Sequence, residues 1–346
     1  MRTPLVLGLE TSCDETGVGV ARGHTVLLSN VLASQERLHR DFGGVVPEIA
    51  ARAHLEHLVP VVHRALEDAG VELREIDAVA VTAGPGLAGA LVVGVAAAKA
   101  LAVALEKPVV AVNHLEGHIF SVFLEYPEFS PPAVALIVSG GHTLLIHIEE
   151  MGKYRILGAT VDDAVGEAFD KVARLLGFGF PGGPLIDRAS KEGDPQRLRL
   201  PRPMRGEGFD FSMAGLKTAV INALQELHDR GARIRRHDVA AAFQEAAVDV
   251  MVEKTVAAAR EEAAERVLVC GGVAANSRLR DRMEKVCKAE GIELFVPSPK
   301  LCTDNGAMIA AAGAFRLEVD GPSPLDFRAD SGLLWPFEAL VAPANC

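Results

Sequence analysis

Several features are missing from this 346-residue sequence, and each absence removes a class of protein. No CxxC pair occurs, and the five cysteines (Cys13, Cys270, Cys287, Cys302, Cys346) are odd in number and widely spaced. A disulfide framework and a cysteine zinc site are therefore not expected, and a reducing, cytoplasmic setting fits. Positive charge is not in excess. The formal net charge of −11 excludes a broadly basic nucleic-acid wrapper, so any nucleic acid needs a local patch or a partner's surface. The N-terminus, MRTPLVLGLETSC, lacks the charged-then-apolar order of a signal peptide, because its apolar run breaks at Glu10. Glycine and proline, at 33 and 19 residues, fall short of the density that marks disorder.

What is present is ordinary globular material, 49% hydrophobic and 23% charged, long enough for two domains at about 150 residues each. One stretch, residues 87–105, has the length of a membrane span. Lys99 interrupts it, and its many Ala and Gly residues contribute little insertion energy, so it reads as a buried helix and no membrane contact is expected.

Residues 5–32 read as strand, turn, strand, turn, strand. A helix is predicted over 47–69, with Pro47 suited to its first turn and Glu48 to its positive end. IDAVAVTAG is a buried strand, followed by a GPG turn and the Ala-rich helix. PVVAVN is another strand, leading to a helical start at HLEGHIFSVFLE. The same order then begins again at AVALIVSGGHTLLIHIEEMGKYRILG, which indicates a duplicated α/β domain. The boundaries expected are 1–129 plus 306–340 for one domain and 130–305 for the other. Later, RVLVCGGVAANSRLRDRM reads as strand, glycine turn and helix, and ELFVPSP as a strand. TDNGAMIAAAGAFRL reads as a helix with Asp304 and Asn305 in its first turn. Residues 319–346 are expected to be loops or a loosely packed tail.

Against the acidic background stand two basic clusters, RLRLPRPMR (Arg197 to Arg205) and RGARIRR (Arg230 to Arg236). They are either solvated loops or phosphate contacts for a large anionic substrate.

The first motif with chemistry is HLEGH. His114 and His118, at i and i+4, share a helical face that suits one metal ion, though two incidental histidines would show the same spacing. At about 100° per residue, Glu116 lies roughly 200° from His114 and roughly 160° from His118. It points away from that face, unlike the glutamate of an HExxH protease, and the metalloprotease reading falls. The H-L-E-H of His54 and His57 reads as ordinary packing rather than a second metal site. In TDNG, Thr303 or Asp304 is a good N-cap. The sharper alternative makes Asp304 a third ligand, and two histidines with one carboxylate suit Fe(II) or Zn(II).

A second set comprises small-residue turns after strands: Thr11 to Asp14, Ser139 to Thr143, and Gly271 to Val273. Glycine lets backbone N–H groups surround a phosphate. The first two turns occupy matching places in the duplication. None is a Walker A loop or a good GxGxxG fingerprint. A third stretch, VDDAVGEAFDKVARLLGFGFPGGPLID, carries Asp170 on a short amphipathic helix and Asp187 after a PGGP turn. Without further context these are a surface residue and an ordinary cap.

Taken in order, GLETSCDETGVGV, FGGVVPEIAARAHLEHL, HLEGH, VSGGHT, GEAFDKVARLLG, PGGP, FSMAGLKTA, GGVAAN and TDNGAMIA resemble one family along nearly the whole chain. It is the tRNA N6-adenosine threonylcarbamoyltransferases (TsaD in bacteria), long mislabelled as an O-sialoglycoprotein endopeptidase. The resemblance implies the duplicated actin-like (ASKHA) ATPase fold, two α/β domains with a nucleotide cleft between them. It implies transfer of threonylcarbamoyl from threonylcarbamoyl-AMP to N6 of the adenosine 3′ of the anticodon, in tRNAs reading ANN codons, with release of AMP. By motif it makes His114, His118 and Asp304 the ligands of one divalent metal ion per subunit, Fe(II) ahead of Zn(II). Ile137, Val138, Ser139, Gly140 and Gly141 would contact the adenylate, with Ile137 a mild departure from the usual Leu. Asp170, Gly183, Asp187 and Asn276 would line the nucleoside pocket, and Asp14 and Glu15 would face the reacting region. His142 joins those two as a candidate base. The partners implied are tRNA, a TsaB-like paralogue and a TsaE-like ATPase, and the Ala-rich helix offers a surface for a helix-bundle contact. The alternatives are an ATP-using kinase or ATPase of the same fold and a non-catalytic scaffold. Sugar kinases hold Mg²⁺ through carboxylates and water, so the histidine pair separates the first alternative from the transferase.

Overall fold

Runs such as LVLGLE, AVAVTAG and AVALIV have no solvent-facing side, and each becomes a fully buried strand. The chain is described here over residues 3–338 by a computed structural model. Over those residues it divides into two units, one running to Phe129 and adding Lys300–Pro336, the other Ser130–Pro299 with Phe337 and Glu338. Residues 300–305, assigned by the sequence boundary to the second domain, lie in the first unit. Asp304 therefore shares a unit with His114 and His118.

In chain order the first stretch holds β1 (Leu5–Glu10), β2 (Glu15–Arg22), β3 (Val26–Ser34), α1 (Glu36–His39), α2 (Pro47–Ala69), β4 (Ala78–Gly84), α3 (Ala88–Leu105), β5 (Val109–Asn113) and α4 (His114–Phe120). Then come β6 (Ala133–Val138), β7 (Thr143–Glu150), β8 (Lys153–Ala159), α5 (Val165–Leu175), α6 (Gly182–Ser190), α7 (Ala214–Asp229), α8 (Arg236–Glu261), β9 (Arg266–Cys270), α9 (Ser277–Glu290) and β10 (Glu293–Phe295). The last elements among the described residues are α10 (Pro299–Cys302), α11 (Gly306–Val319) and β11 (Phe337–Glu338).

The first sheet has the order β3-β2-β1-β4-β5 and the second β10-β9-β6-β7-β8-β11. In each, an antiparallel three-strand meander is followed by two strands parallel to its first member. The repeat read from the sequence is therefore a repeat of topology, with β11 added beside β8. The first unit's core joins Leu5, Leu7, Leu9, Val79 and Val81 to Leu58 and Val62 of α2 and Val95 of α3. Each such side chain contributes about 1.5–3 kcal/mol on burial.

Five expectations need correction. The Ala-rich helix α3 is long and apolar enough to cross a membrane, but only 33% of it is buried. Its small residues Ala90, Gly94, Ala98 and Ala102 form the packed face, while Val92 and Val103 are 56% and 61% exposed. PGGP is not an isolated turn: Gly182 begins α6, with Pro181 as its cap. Asp187 accordingly sits inside α6 rather than capping it. The cap of α11 is Asn305, whose side chain accepts from Met308 N at 2.9 Å, so Asp304 precedes the helix instead of lying in its first turn. The irregular tail is pinned rather than loose: Asn113 Nδ2 donates to Leu333 O at 3.0 Å and Trp335 O at 2.8 Å. Lys99 Nζ also bonds Phe327 O. Residues 339–346 of the expected tail, Cys346 among them, lie outside the described residues. The other four cysteines are free thiols.

Candidate active site

Two packing relationships bring distant parts of the sequence to one place. A Cβ on Gly19 would stand 2.3 Å from Ala307 N, and one on Gly8 2.2 Å from Gly306 O. Only glycine permits α11 to lie this close on β1 and β2. Gly117 of α4 likewise leaves room for Ile309 and Met308 of α11. Asn113 starts α4 by accepting from Leu115 N at 2.8 Å. Glu116, fully buried, is held by Arg316 of α11, with Nη2 to Oε1 at 2.6 Å. It points away from the histidine face, as the helical phase predicted.

The result is a cluster of His114, His118 and Asp304 whose nearest ligand atoms lie within 4.8 Å of one another. His114 Nε2 is 3.5 Å and His118 Nε2 3.3 Å from Asp304 Oδ1. Those separations suit a shared cation, because ligand bonds of about 2.0–2.2 Å at tetrahedral angles put donors about 3.3–3.6 Å apart. The two rings stand 4.7 Å apart at 76°. His118 is 0% exposed, yet its Nδ1 has no hydrogen-bond partner among the described residues and its Nε2 faces only Asp304. A polar ring left so is costly unless something ligates it. By donor set, spacing and this orphaned ring, the three residues fit one divalent ion.

Sequence reasoning missed Glu10. It lies at the end of β1, fully buried, with Oε2 3.0 Å from His114 Nδ1. Burial alone would raise its pKa, but the charge and hydrogen bond of His114 hold it below the ordinary carboxylate value. For His114, burial works downward, and the Asp304 and Glu10 charges outweigh it, lifting the ring to about 9. His118 is lowered, mainly by burial. A carboxylate at the buried end of a strand carries no local signature, so only the pairing of β1 with β4 and the placing of α4 expose its role.

The turn after β1 is fastened from several sides. Leu87 N donates to Ser12 O at 2.8 Å, and Thr11 Oγ1 to Ala90 O at 3.0 Å. His54, in α2, donates through Nε2 to Cys13 O at 3.0 Å and receives Thr16 Oγ1 at Nδ1 at 2.8 Å. Both its nitrogens are thus engaged within the protein, as the packing reading of His54 expects. Burial raises Asp14 and pushes Glu15 up to about 8, against the Ser34 hydrogen bond that pulls Glu15 down. Burial also drives Cys13 well above the ordinary thiol value, so it is no nucleophile at neutral pH.

In the second unit, Ile137 and Val138 end β6 with fully buried side chains. Ser139 Oγ accepts from His142 N at 3.1 Å. A Cβ on Gly140 or Gly141 would meet nothing within 4 Å, so the loop's backbone is open to approach. Gly183 is open in the same way. Asp170 accepts from Gly182 N at 2.6 Å, which couples GEAFDK to the start of α6. Asp187 accepts from Ser277 Oγ at 2.8 Å, beside Asn276 in sequence. Asn276 caps α9 by accepting from Leu279 N at 3.0 Å and donates to Gln244 at 2.8 Å. Asp170 is thereby brought to the start of α6, and Asp187 to Ser277.

The first basic cluster lies between α6 and α7, and the second joins α7 to α8, with Arg236 the first residue of α8. Most of their arginines are paired: Arg202 with Asp249 at 2.7 Å, Arg235 with Asp238 at 2.6 Å, Arg205 with Glu253 and Arg230 with Glu226. Arg199 and Arg233 are exposed and form no ion pair among the described residues.

The profile of the family TsaD, tRNA N6-adenosine threonylcarbamoyltransferase, matches residues 26–311. A protein of that name from Geotalea uraniireducens is 51% identical over 340 residues, 98% of each chain. Another from Symbiobacterium thermophilum is 51% identical over 332 residues, 95% of this chain and 96% of its own. Among solved structures, HypF of T. kodakarensis matches 92% of this chain and 48% of its own, with a TM-score of 0.62 at 15% identity. Component A of the Acidaminococcus fermentans (R)-2-hydroxyglutaryl-CoA dehydratase matches 90% of this chain and 96% of its own, with a TM-score of 0.55 at 14% identity. These structural likenesses speak for the fold alone, the duplicated, actin-like α/β fold. By the family profile and the half-identical relatives together, the chain belongs to the TsaD family of tRNA N6-adenosine threonylcarbamoyltransferases.

Proposed function

We propose that this chain transfers the threonylcarbamoyl group of threonylcarbamoyl-AMP to N6 of the adenosine 3′ of the anticodon in tRNAs reading ANN codons, releasing AMP. The observation that carries the reading is the buried cluster of His114, His118 and Asp304, in a chain half identical to proteins named for this reaction. The kinase alternative is not favoured, since relatives at about 50% identity are named as transferases.

The donor is a mixed carbamic–phosphoric anhydride, already activated, so no protein nucleophile is needed. The acceptor is an aromatic amine and a poor nucleophile. The protein's contribution is therefore orientation and stabilisation of the charge that develops on the carbonyl oxygen. His114, His118 and Asp304 would hold one divalent ion, Fe(II) ahead of Zn(II). Such an ion supplies Lewis acidity toward oxygens of the donor.

The open backbone of Gly140 and Gly141, after Ile137, Val138 and Ser139, offers N–H groups to the adenylate phosphate. Asp170, Gly183, Asp187 and Asn276 bind the nucleoside portion. Gly183 does so through its open backbone, and Asn276 by fixing the start of α9. Asp14 and Glu15 serve the proton that leaves N6, and the raised value of Glu15 near 8 suits a group exchanging protons at neutral pH. Exposed Arg199 and Arg233 contribute to holding tRNA, with a TsaB-like paralogue and a TsaE-like ATPase as partners. The exposed face of α3 is offered to a helix-bundle contact.

The test is incubation of the purified chain with threonylcarbamoyl-AMP, unmodified tRNA and the two partner proteins. Threonylcarbamoyladenosine in the digested tRNA, with equimolar AMP, is the expected result. Its absence in a metal-loaded, folded preparation defeats the reading.

A further inference from the structure

Glu10 is 0% exposed, a costly place for a carboxylate unless both oxygens are partnered. Both are. Oε1 accepts from Ser12 N at 2.5 Å. Oε2 accepts from Thr82 Oγ1 at 2.6 Å and lies 3.0 Å from His114 Nδ1. An ionised carboxylate has no hydrogen to give, so Nδ1 carries the hydrogen of that contact. The other ring nitrogen, Nε2, faces Asp304 Oδ1 at 3.5 Å and is the one left to a cation, which displaces its proton on binding.

The geometry points to Glu10 as a positioning residue that sets which nitrogen of His114 is offered to the cation and holds the ring there. The inference rests on the metal reading of His114, His118 and Asp304 and deepens it. His118 is the contrast, since no protein group bonds its Nδ1 and only Asp304 faces its Nε2. One histidine is thus fixed before any ion arrives, while the other adapts. With Asp304, Glu10 also brings two negative charges to the position, enough to balance a divalent ion beside neutral imidazoles. Through Ser12 N the same carboxylate ties the turn bearing Asp14 and Glu15 to the cluster.

Replacement by glutamine reverses the logic at one atom. Ser12 N–H can only donate, so the glutamine oxygen must face it and the NH₂ must face His114. His114 Nδ1 then faces a donor, and the hydrogen shifts toward Nε2, the ligand nitrogen; Ser12 Oγ, 3.2 Å from Nδ1, is the weaker acceptor that remains.

Zn²⁺ and Co²⁺ affinities of the full chain are measured by chelator competition for the parent, Glu10→Gln and His114→Ala, with unfolding curves confirming that each is folded. The zinc-loaded parent, labelled with ¹⁵N-histidine, is examined for an exchange-protected proton on His114 Nδ1. We expect one ion per parent chain, none in His114→Ala, an affinity in Glu10→Gln lower by about 10–100-fold, and the protected Nδ1 proton. Metal retained by His114→Ala, or none bound by the parent, overturns the metal reading itself. With that reading intact, parent-like affinity in Glu10→Gln, or His114 bound through Nδ1, overturns the role of Glu10. If Glu10→Gln does not fold, the spectrum of the parent decides alone.

Discussion

Glu116 and Arg316 are joined across α4 and α11 by a buried two-pronged ion pair, Nη2 to Oε1 at 2.6 Å and Nε to Oε2 at 2.9 Å. The pair fixes the helix bearing both histidines against the helix that begins after Asp304. Arg316→Met leaves a buried charge without its partner and should destabilise the first unit by about 3–5 kcal/mol. Glu116→Leu with Arg316→Met should recover most of that loss, since apolar replacement of both partners is often tolerated. Urea denaturation of the two variants checks both statements, and equal loss in each would contradict them.

Removing the carboxylate of the cluster should remove the ion. Asp304→Asn is expected to leave less than stoichiometric metal after reconstitution and dialysis, read by elemental mass spectrometry. Chelator treatment of the parent should abolish transfer, and re-addition of Fe²⁺ or Zn²⁺ should restore it. Full metal occupancy in Asp304→Asn would remove it from the ligand set.

Two glycines should behave in opposite ways. In Gly19→Ala the new methyl meets Ala307 N at 2.3 Å, so α11 must move. Overpacking of this kind costs about 1–3 kcal/mol, and metal affinity should fall with it. In Gly183→Ala the methyl enters open space, and the melting temperature should hold or rise. Donor binding should weaken in that variant, as a raised KM. Unchanged KM would take Gly183 out of the nucleoside site.

Glu15 makes stability depend on pH. Its folded value, about 8, lies above the ordinary 4.5 because burial favours the neutral acid. The stability it contributes is full below 4.5 and is lost as the pH rises through about 8. For the metal-free protein, the melting-temperature advantage of Glu15→Gln over the parent should grow between pH 5 and 8 and level off above. A constant difference across that range would refute the shift.

Arg199 and Arg233 are the cluster arginines left for an anionic partner, since Arg197, Arg202, Arg205, Arg230 and Arg235 are held by carboxylates and Arg236 lies over the Phe178 ring with Nη1 donating to Leu176 O. Arg199→Glu and Arg233→Glu should weaken tRNA binding and lower its salt slope by about one each. Arg202→Glu should act on stability instead, through the loss of its Asp249 contact. Unchanged tRNA binding would place the tRNA elsewhere.

Much of the fold was legible because it is periodic or punctuated. Pro47 and Gly70 bracket α2 at the predicted ends, and apolar runs without a polar face declare β1, β4 and β6. The histidine pair could be read from its spacing, since four residues is one helical turn. Asn305 was missed as a cap because Thr303, Asp304 and Asn305 are all good capping residues. Local preference cannot rank them, and only the start of α11 against β2 does. The basic clusters stayed open between two readings because charge in a sequence says nothing of the carboxylate opposite. Asp249 and Glu253 lie on α8, far along the chain.

By itself the sequence determined the order of elements, their repetition and the chemical types available at each turn, because these follow from local periodicity and from residues with few allowed conformations. Tertiary structure alone decided which of those groups meet. Glu10 reaches His114, Arg316 reaches Glu116, and Asp304 reaches both histidines only because glycines let α11 settle against the strands, and close approach between distant segments is a property of packing.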